Sequence, residues 1–260
     1  MNIVIMSYLI LLGMVVGSFV NVVGLRVPKK ESIMSPRSHC PTCERPLIIV
    51  DLIPLFSFLF TKGRCRMCRQ RISSLYPIIE GLTGFLFVLA YWNFHLTPEI
   101  FVALLFISLL MIVVVSDISY MIIPDQVLLF FFPLFIILRY TIAPLTSDWS
   151  PLLGGIIGFL LLWIIAIASR GGMGGGDVKL FGVIGMVLGW QQVLVAFFFS
   201  CLIGAIIGII GMLVGKVKKG QPFPFGPFIV IGTILAYFYG SSLLELYINY
   251  FGLSVLALFV

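Results

Sequence analysis

Long apolar runs, broken by short stretches rich in Gly, Pro and charged residues, repeat along almost the whole chain. Each run approaches the roughly 20 residues that a helix needs to cross a bilayer. Eight stand out, at about 3–25, 78–96, 98–117, 125–143, 151–169, 178–190, 193–214 and 226–247. The sixth is short and the tail over 248–260 is ambiguous, so seven to nine spans fit the pattern. One stretch, roughly 26–77, is polar enough to fold in water. The pattern predicts an all-α polytopic membrane protein of about eight transmembrane helices, with a small insertion after the first. The chain then divides into a first helix over 1–25, a polar domain over 26–77 and a transmembrane core over 78–260. No repeat of fixed period and no low-complexity tract is visible.

Composition agrees: 61% of the residues are hydrophobic and 10% charged, against about 45–50% and about 25% in a soluble domain. Basic residues set the expected orientation, because Lys and Arg gather in cytoplasmic loops. Ten of the sixteen lie between Arg26 and Arg71. With that segment inside and eight spans in order, Arg170, Lys179, Lys216, Lys218 and Lys219 also fall inside, and only Arg139 lies near the outer face. The amino terminus is then expected outside. The net charge of +6 reads as a topology signal and a contact with membrane lipid, with no need for a nucleic-acid partner. The first run is expected to remain as an anchor, since no basic residue precedes it and the first charge is Arg26.

Within the polar segment stand Cys40-Pro-Thr-Cys43 and Cys65-Arg-Met-Cys68. Two such knuckles place four thiolates for a tetrahedral zinc site, giving a zinc-ribbon-like insertion. Disulfides or incidental cysteines are the alternatives, and the expected cytoplasmic placement disfavours disulfides. The site reads as structural, because so short a segment has little core of its own. Cys201 lies within a span and reads as a packing residue.

Acidic residues are few. Glu31, Glu44, Asp51, Glu99, Asp148 and Glu245 fall in polar or outer-face positions and read as solvated or structural, leaving Glu80, Asp117, Asp125 and Asp177. Asp117 ends the third span, and Asp177 closes the glycine-rich run Gly171-Gly172-Met173-Gly174-Gly175-Gly176 before the sixth. Both are expected at the cytoplasmic ends of neighbouring hairpins. Two carboxylates that share a proton activate water and polarise a scissile carbonyl; the glycines would permit positive φ and close approach of a substrate backbone. Asp125 reads as the N-cap of the fourth span. A glycine-rich break is also what a helix-packing surface looks like, and a carboxylate pair at membrane depth equally serves proton or cation transport. On these residues alone, protease and transporter both stand.

The ordered set of motifs resembles the type IV prepilin peptidases, also called leader peptidases and N-methyltransferases, within the GxGD intramembrane aspartic proteases. The likeness is carried by Gly17-Ser18-Phe19, Asn21-Val22 and Arg26-Val27-Pro28; by Cys40 through Ile53-Pro54-Leu55 to Cys65 and Cys68; and by Ile72-Ser73, Tyr76-Pro77 and Glu80. It continues through Asp117, Pro124-Asp125, the run to Gly176-Asp177 with Lys179, and Pro224-Phe225-Gly226-Pro227. The resemblance implies that Asp117 and Asp177 are catalytic, supported by Gly174, Gly176 and Lys179. It implies as substrates the precursors of type IV pilins or pseudopilins, cut after a glycine that ends a short basic leader. It also implies a bacterial inner-membrane protein with its site near the cytoplasmic face, and N-methylation of the new amino terminus with S-adenosylmethionine. No methyl-donor motif is evident; Glu80, Lys179 and the polar segment are the candidates. Ser119 departs from the acidic residue that many relatives carry there.

Overall fold

The computed structural model of the chain describes residues 2–40, 42–169, 173–215 and 223–250. Gly171 and Gly172, the basic residues Arg170, Lys216, Lys218 and Lys219, and the tail from 251 onward lie outside the described residues. The described residues contain no strand, only two isolated β-bridges, and nine α-helices. These are α1 (Asn2–Arg26), α2 (Phe56–Phe60), α3 (Leu75–Phe94), α4 (Glu99–Tyr120), α5 (Asp125–Thr141), α6 (Ser150–Ala168), α7 (Gly175–Leu188), α8 (Trp190–Leu213) and α9 (Gly226–Tyr250). All but α2 match a predicted span to within a few residues. Six (α1, α3, α4, α6, α8 and α9) are long and apolar enough to cross a membrane. The 17 residues of α5 and 14 of α7 rise only about 25 Å and about 21 Å at 1.5 Å per residue, short of a hydrocarbon core of about 30 Å.

The chain forms two compact units, residues 1–120 and 121–260. In the first, α1, α3 and α4 pack together. Small residues let backbones approach: a Cβ on Gly13 would lie 2.7 Å from Gly84 Cα, one on Gly17 2.8 Å from Glu80 Cα, and one on Gly24 2.7 Å from Val115 Cβ. Helix α4 is the most enclosed of this unit, with fourteen of its 22 residues buried.

In the second unit α7 takes the enclosed place, with nine of its 14 residues buried and α5, α6, α8 and α9 all packed against it. Glycines again set the approach. A Cβ on Gly154 would run into the Gly185 carbonyl oxygen, and one on Gly158 into that of Phe181. Gly189, at φ 83, separates α7 from α8 by a single residue, a conformation that a side chain would strain. Pro133 sits inside α5, where membrane helices tolerate the lost backbone bond.

Candidate active site and metal centre

The two candidate aspartates occupy the most enclosed helix of each unit. Asp117 lies in the first unit, three residues before the end of α4, and is 5% exposed. Burial stops there: every residue from Leu109 to Asp117 is buried, whereas Ile118 and Ser119 are exposed. Asp117 is therefore the last enclosed side chain of its helix, at a rim. Ser119 faces outward rather than into the packed interior.

Asp177 lies in the second unit, half-buried, as the third residue of α7. Its N–H donates to the Gly174 carbonyl at 3.2 Å. A carboxylate in the first turn of a helix meets the positive end of the helix dipole. Gly174 and Gly176 have separate tasks. A Cβ on Gly174 would stand 3.3 Å from Asp177 Oδ2, so any side chain at that position would crowd the carboxylate. A Cβ on Gly176 would stand 2.9 Å from Ile123 Cβ, so its absence lets α7 press against the segment that enters α5. Among the described glycines of the run the expectation of positive φ is not met: Gly174 has φ −71 and ψ 142, and Gly175 and Gly176 begin the helix, while Gly171 and Gly172 lie outside the described residues. Here these glycines provide space, not unusual dihedrals.

Asp125 is not the N-cap of the fourth span. Pro124 holds that position, and Asp125 is the first residue of α5. Its carboxylate accepts a hydrogen bond from Lys179 Nζ at 2.7 Å, both side chains being exposed. Lys179 follows Asp177 by two residues, about 200° around the helix, so it points away from the aspartate. It stands instead at an apolar groove of about 780 Å³ between α5, α6 and α7, lined by Leu129, Phe132, Ile156 and Phe159 among others.

The four cysteines converge, all Sγ atoms lying within 4.8 Å of one another. Cys40 and Cys68 are 3.7 Å apart and Cys43 and Cys65 3.9 Å, close to the ~3.8 Å edge of a tetrahedron with 2.3 Å metal–sulfur bonds. Each knuckle, Cys40 to Cys43 and Cys65 to Cys68, is made by the same turn. Cys40 N–H donates to Arg45 O at 3.0 Å and Glu44 N–H to Cys40 O at 2.9 Å; Cys65 N–H donates to Gln70 O at 2.9 Å and Arg69 N–H to Cys65 O at 3.0 Å. Glu44 (φ 53) and Arg69 (φ 61) turn left-handed after the second cysteine of each, and bridges His39 to Pro46 and Arg64 to Arg71 close the loops. The knuckles thus repeat one another at a constant offset, an internal repeat that the sequence carries only in the cysteines. Asp51, read from sequence as solvated or structural, joins the two: it accepts from Arg45 at 2.6 Å and from Arg66 at 3.0 Å.

Backbone N–H groups of Cys43 and Thr42 lower the Cys40 thiol to about 6, and those of Cys68 and Met67 lower Cys65. The Gln70 N–H also favours the Cys68 thiolate, but desolvation and the neighbouring Cys43, Cys65 and Cys40 push that thiol up to about 11. Four thiolates this close repel, and a bound cation is what removes the conflict.

Glu80, 8% exposed on α3, reaches the polar segment: its Oε2 accepts the Leu55 N–H at 2.9 Å and holds Leu55 at φ 60. This anchoring role was not evident in the sequence, where Leu55 and Glu80 are separated by the second knuckle.

The structure is that of a polytopic helical membrane protein bearing a cluster of four cysteines that could hold a metal ion. Residues 11–94 match the model of the bacterial peptidase A24 N-terminal domain, and residues 104–209 that of the type IV leader peptidase family. The chain is 49% identical over 244 residues to a prepilin leader peptidase/N-methyltransferase of Bacillus subtilis, covering 94% of this chain and 98% of the relative. It is 33% identical over 279 residues to one of Aeromonas salmonicida, covering 94% of each, and 30% identical over 271 residues to one of Pseudomonas aeruginosa, covering 94% and 93%. No solved structure gives a significant match. The chain belongs to the type IV leader peptidase family.

Proposed function

We propose that this chain removes the basic leader from type IV prepilin or pseudopilin precursors at the cytoplasmic face of a bacterial inner membrane, and N-methylates the amino terminus so exposed. The observation that carries the reading is full-length likeness, at 49% identity, to a protein bearing both activities in its name. Asp117 and Asp177 carry the hydrolysis: one carboxylate takes a proton from the attacking water while the other gives one to the scissile carbonyl. The rim position of Asp117 and the absence of a side chain at Gly174, next to the Asp177 carboxylate, support these roles. A precursor whose apolar helix lies in the bilayer and whose leader lies in the cytoplasm presents its cleavage bond at that depth.

Zinc suits the four-cysteine cluster, because its soft, tetrahedral preference matches the sulfur set and spacing. Its role is structural, holding the polar segment. S-adenosylmethionine, when bound, supplies the methyl group. The basic residues between Arg26 and Arg71 support a cytoplasmic side for the segment and an attraction to anionic lipid.

Mass spectrometry of a prepilin incubated with the purified protein and S-adenosylmethionine tests this. The expected product is shortened and carries one added methyl group. Asp117→Asn and Asp177→Asn each lower cleavage at least ~1,000-fold, about 4 kcal/mol of transition-state stabilisation, while remaining folded and metal-loaded. Cleavage that persists in either variant removes that aspartate from the mechanism. A cleaved but unmethylated product leaves a peptidase alone.

A further inference from the structure

A cavity of about 410 Å³ opens inside the first unit, between α1, the first turns of α3 and the polar segment that carries the cysteines. Its volume is in the range of small-molecule sites, roughly 300–1,000 Å³. Two features of its wall set it apart: a buried acceptor without a hydrogen-bond partner, which buried polar groups normally have, and a buried carboxylate with no cation beside it. Asn21, 1% exposed, donates through Nδ2 to the Tyr76 carbonyl at 3.2 Å, but its Oδ1 has no hydrogen-bond partner among the described residues. Glu80 accepts hydrogen bonds from the Leu55 N–H and the Ser18 hydroxyl, and among the described residues no Lys or Arg forms an ion pair with it. The cavity therefore offers an enclosed acceptor and an enclosed carboxylate without its own cation.

Elsewhere the wall is basic, with five Lys or Arg against three acidic residues. Arg45 and Arg66 are held by Asp51. Lys29 is not so neutralised, its ammonium standing 5.3 Å from the centre of the Tyr120 ring. A ligand that satisfies this wall combines a compact cation for Glu80, an N–H or O–H donor for Asn21, a carboxylate for Lys29 and a flat ring for the tyrosines. An extended polybasic peptide does not, because the basic excess repels it.

We propose that this cavity binds the methyl donor, S-adenosylmethionine, with the sulfonium end toward Glu80 and a donor of its adenosine on Asn21 Oδ1. The assignment rests on the methylation reading above. In the transfer, the lone pair of the substrate's deprotonated amine forms the new N–C bond. The C–S bond breaks with its electrons passing to sulfur, and the nitrogen then sheds a proton.

Binding to the purified full chain provides the test, measured by equilibrium dialysis with labelled S-adenosylmethionine and with S-adenosylhomocysteine, which lacks the sulfonium charge. Asn21→Ala weakens both about tenfold, the scale for one lost buried hydrogen bond. Glu80→Gln weakens S-adenosylmethionine several-fold more than S-adenosylhomocysteine. Val22→Phe, which fills the cavity from α1, abolishes binding of both, and prepilin cleavage stays within twofold in Asn21→Ala and Val22→Phe. Photolabelling of the unmodified chain with an azido-adenosine analogue needs no variant to fold, and is expected to mark peptides from α1, α3 or the polar segment. Label confined to residues 121–260, or wild-type affinity in folded Val22→Phe, overturns the assignment. Loss of cleavage with retained donor binding in Val22→Phe reassigns the cavity to the leader peptide. A wild-type chain that neither binds the donor nor methylates any product defeats the underlying methylation reading instead.

Discussion

Between Lys29 and Ser74 the only buried side chains among the described residues are those of Cys40 and Cys65. In α7, nine of 14 residues are buried. The polar segment is held by a few strong ties: the cysteine cluster, Asp51 between two arginines, and Glu80 on the Leu55 N–H. The α6–α7 pair is held by continuous contact across glycine faces, with Gly154 and Gly158 against Gly185 and Phe181. The contrast follows from the surroundings each is read to occupy. In water a segment this small buries too little apolar surface to fold on its own. In lipid there is little hydrophobic drive between helices, and close packing decides association.

Removing the metal gives the sharpest break between the two regions. Chelation, or Cys43→Ser, is expected to make the segment from 30 to 74 accessible to protease, since metal binding to such sites is worth about 10 kcal/mol or more. Limited proteolysis followed by mass mapping should place every new cut there and none in α6–α7. Cuts that appear throughout the chain would mean that the metal stabilises more than its own segment.

Gly185→Val should do the reverse. A side chain at Gly185 collides with the Gly154 backbone, which has no flexible end to yield, so a loss of about 4 kcal/mol or more is expected. Thermal unfolding in detergent would register it, with zinc content unchanged in whatever fraction remains folded.

A finer comparison lies within the glycine run. Gly176→Ala meets Ile123 Cβ at 2.9 Å, whereas a Cβ on Gly175 meets nothing within 4 Å. The first should cost about 1–3 kcal/mol and lower prepilin cleavage; the second should stay within about 0.5 kcal/mol of wild type in the same melts. Equal effects would show that backbone freedom, not space, is what the run supplies.

The smallest change is expected from Lys179→Met. Its ion pair with Asp125 is exposed, with 53% and 67% of the side chains open to solvent, and such pairs contribute about 1 kcal/mol or less. A cleavage rate within a few-fold of wild type would agree with its position away from Asp177. A loss like that of Asp177→Asn would place Lys179 in the chemistry after all.

Asp51 and Glu80 show where reading the chain stops. Each is one acidic residue among ten, and nothing adjacent marks it. Asp51 gains its role because folding brings one arginine from each knuckle to the same carboxylate, and Glu80 because the chain returns to α3 with an unpaired N–H at Leu55. The knuckle repeat is not legible in the sequence because its matching parts are backbone bonds at His39–Pro46 and Arg64–Arg71, not matching side chains. Asp125 differs from its expected N-cap role because a helix start in the sequence does not say whether Pro124 or Asp125 is the cap.

What the sequence determined by itself was the helices, the cysteine knuckles and the family motifs, because each rests on short-range pattern: apolar run length, CxxC spacing and ordered local signatures. Helix positions came out to within a few residues, six of the helices being long and apolar enough to span, because transfer of a helix into lipid depends on composition over about 20 residues. Only the tertiary structure decided that α4 and α7 are the enclosed helices of their units, that Gly176 is a contact while Gly175 is not, and that Asn21 faces a cavity with a bare acceptor. Those properties depend on which distant residues become neighbours, and close packing is set pair by pair.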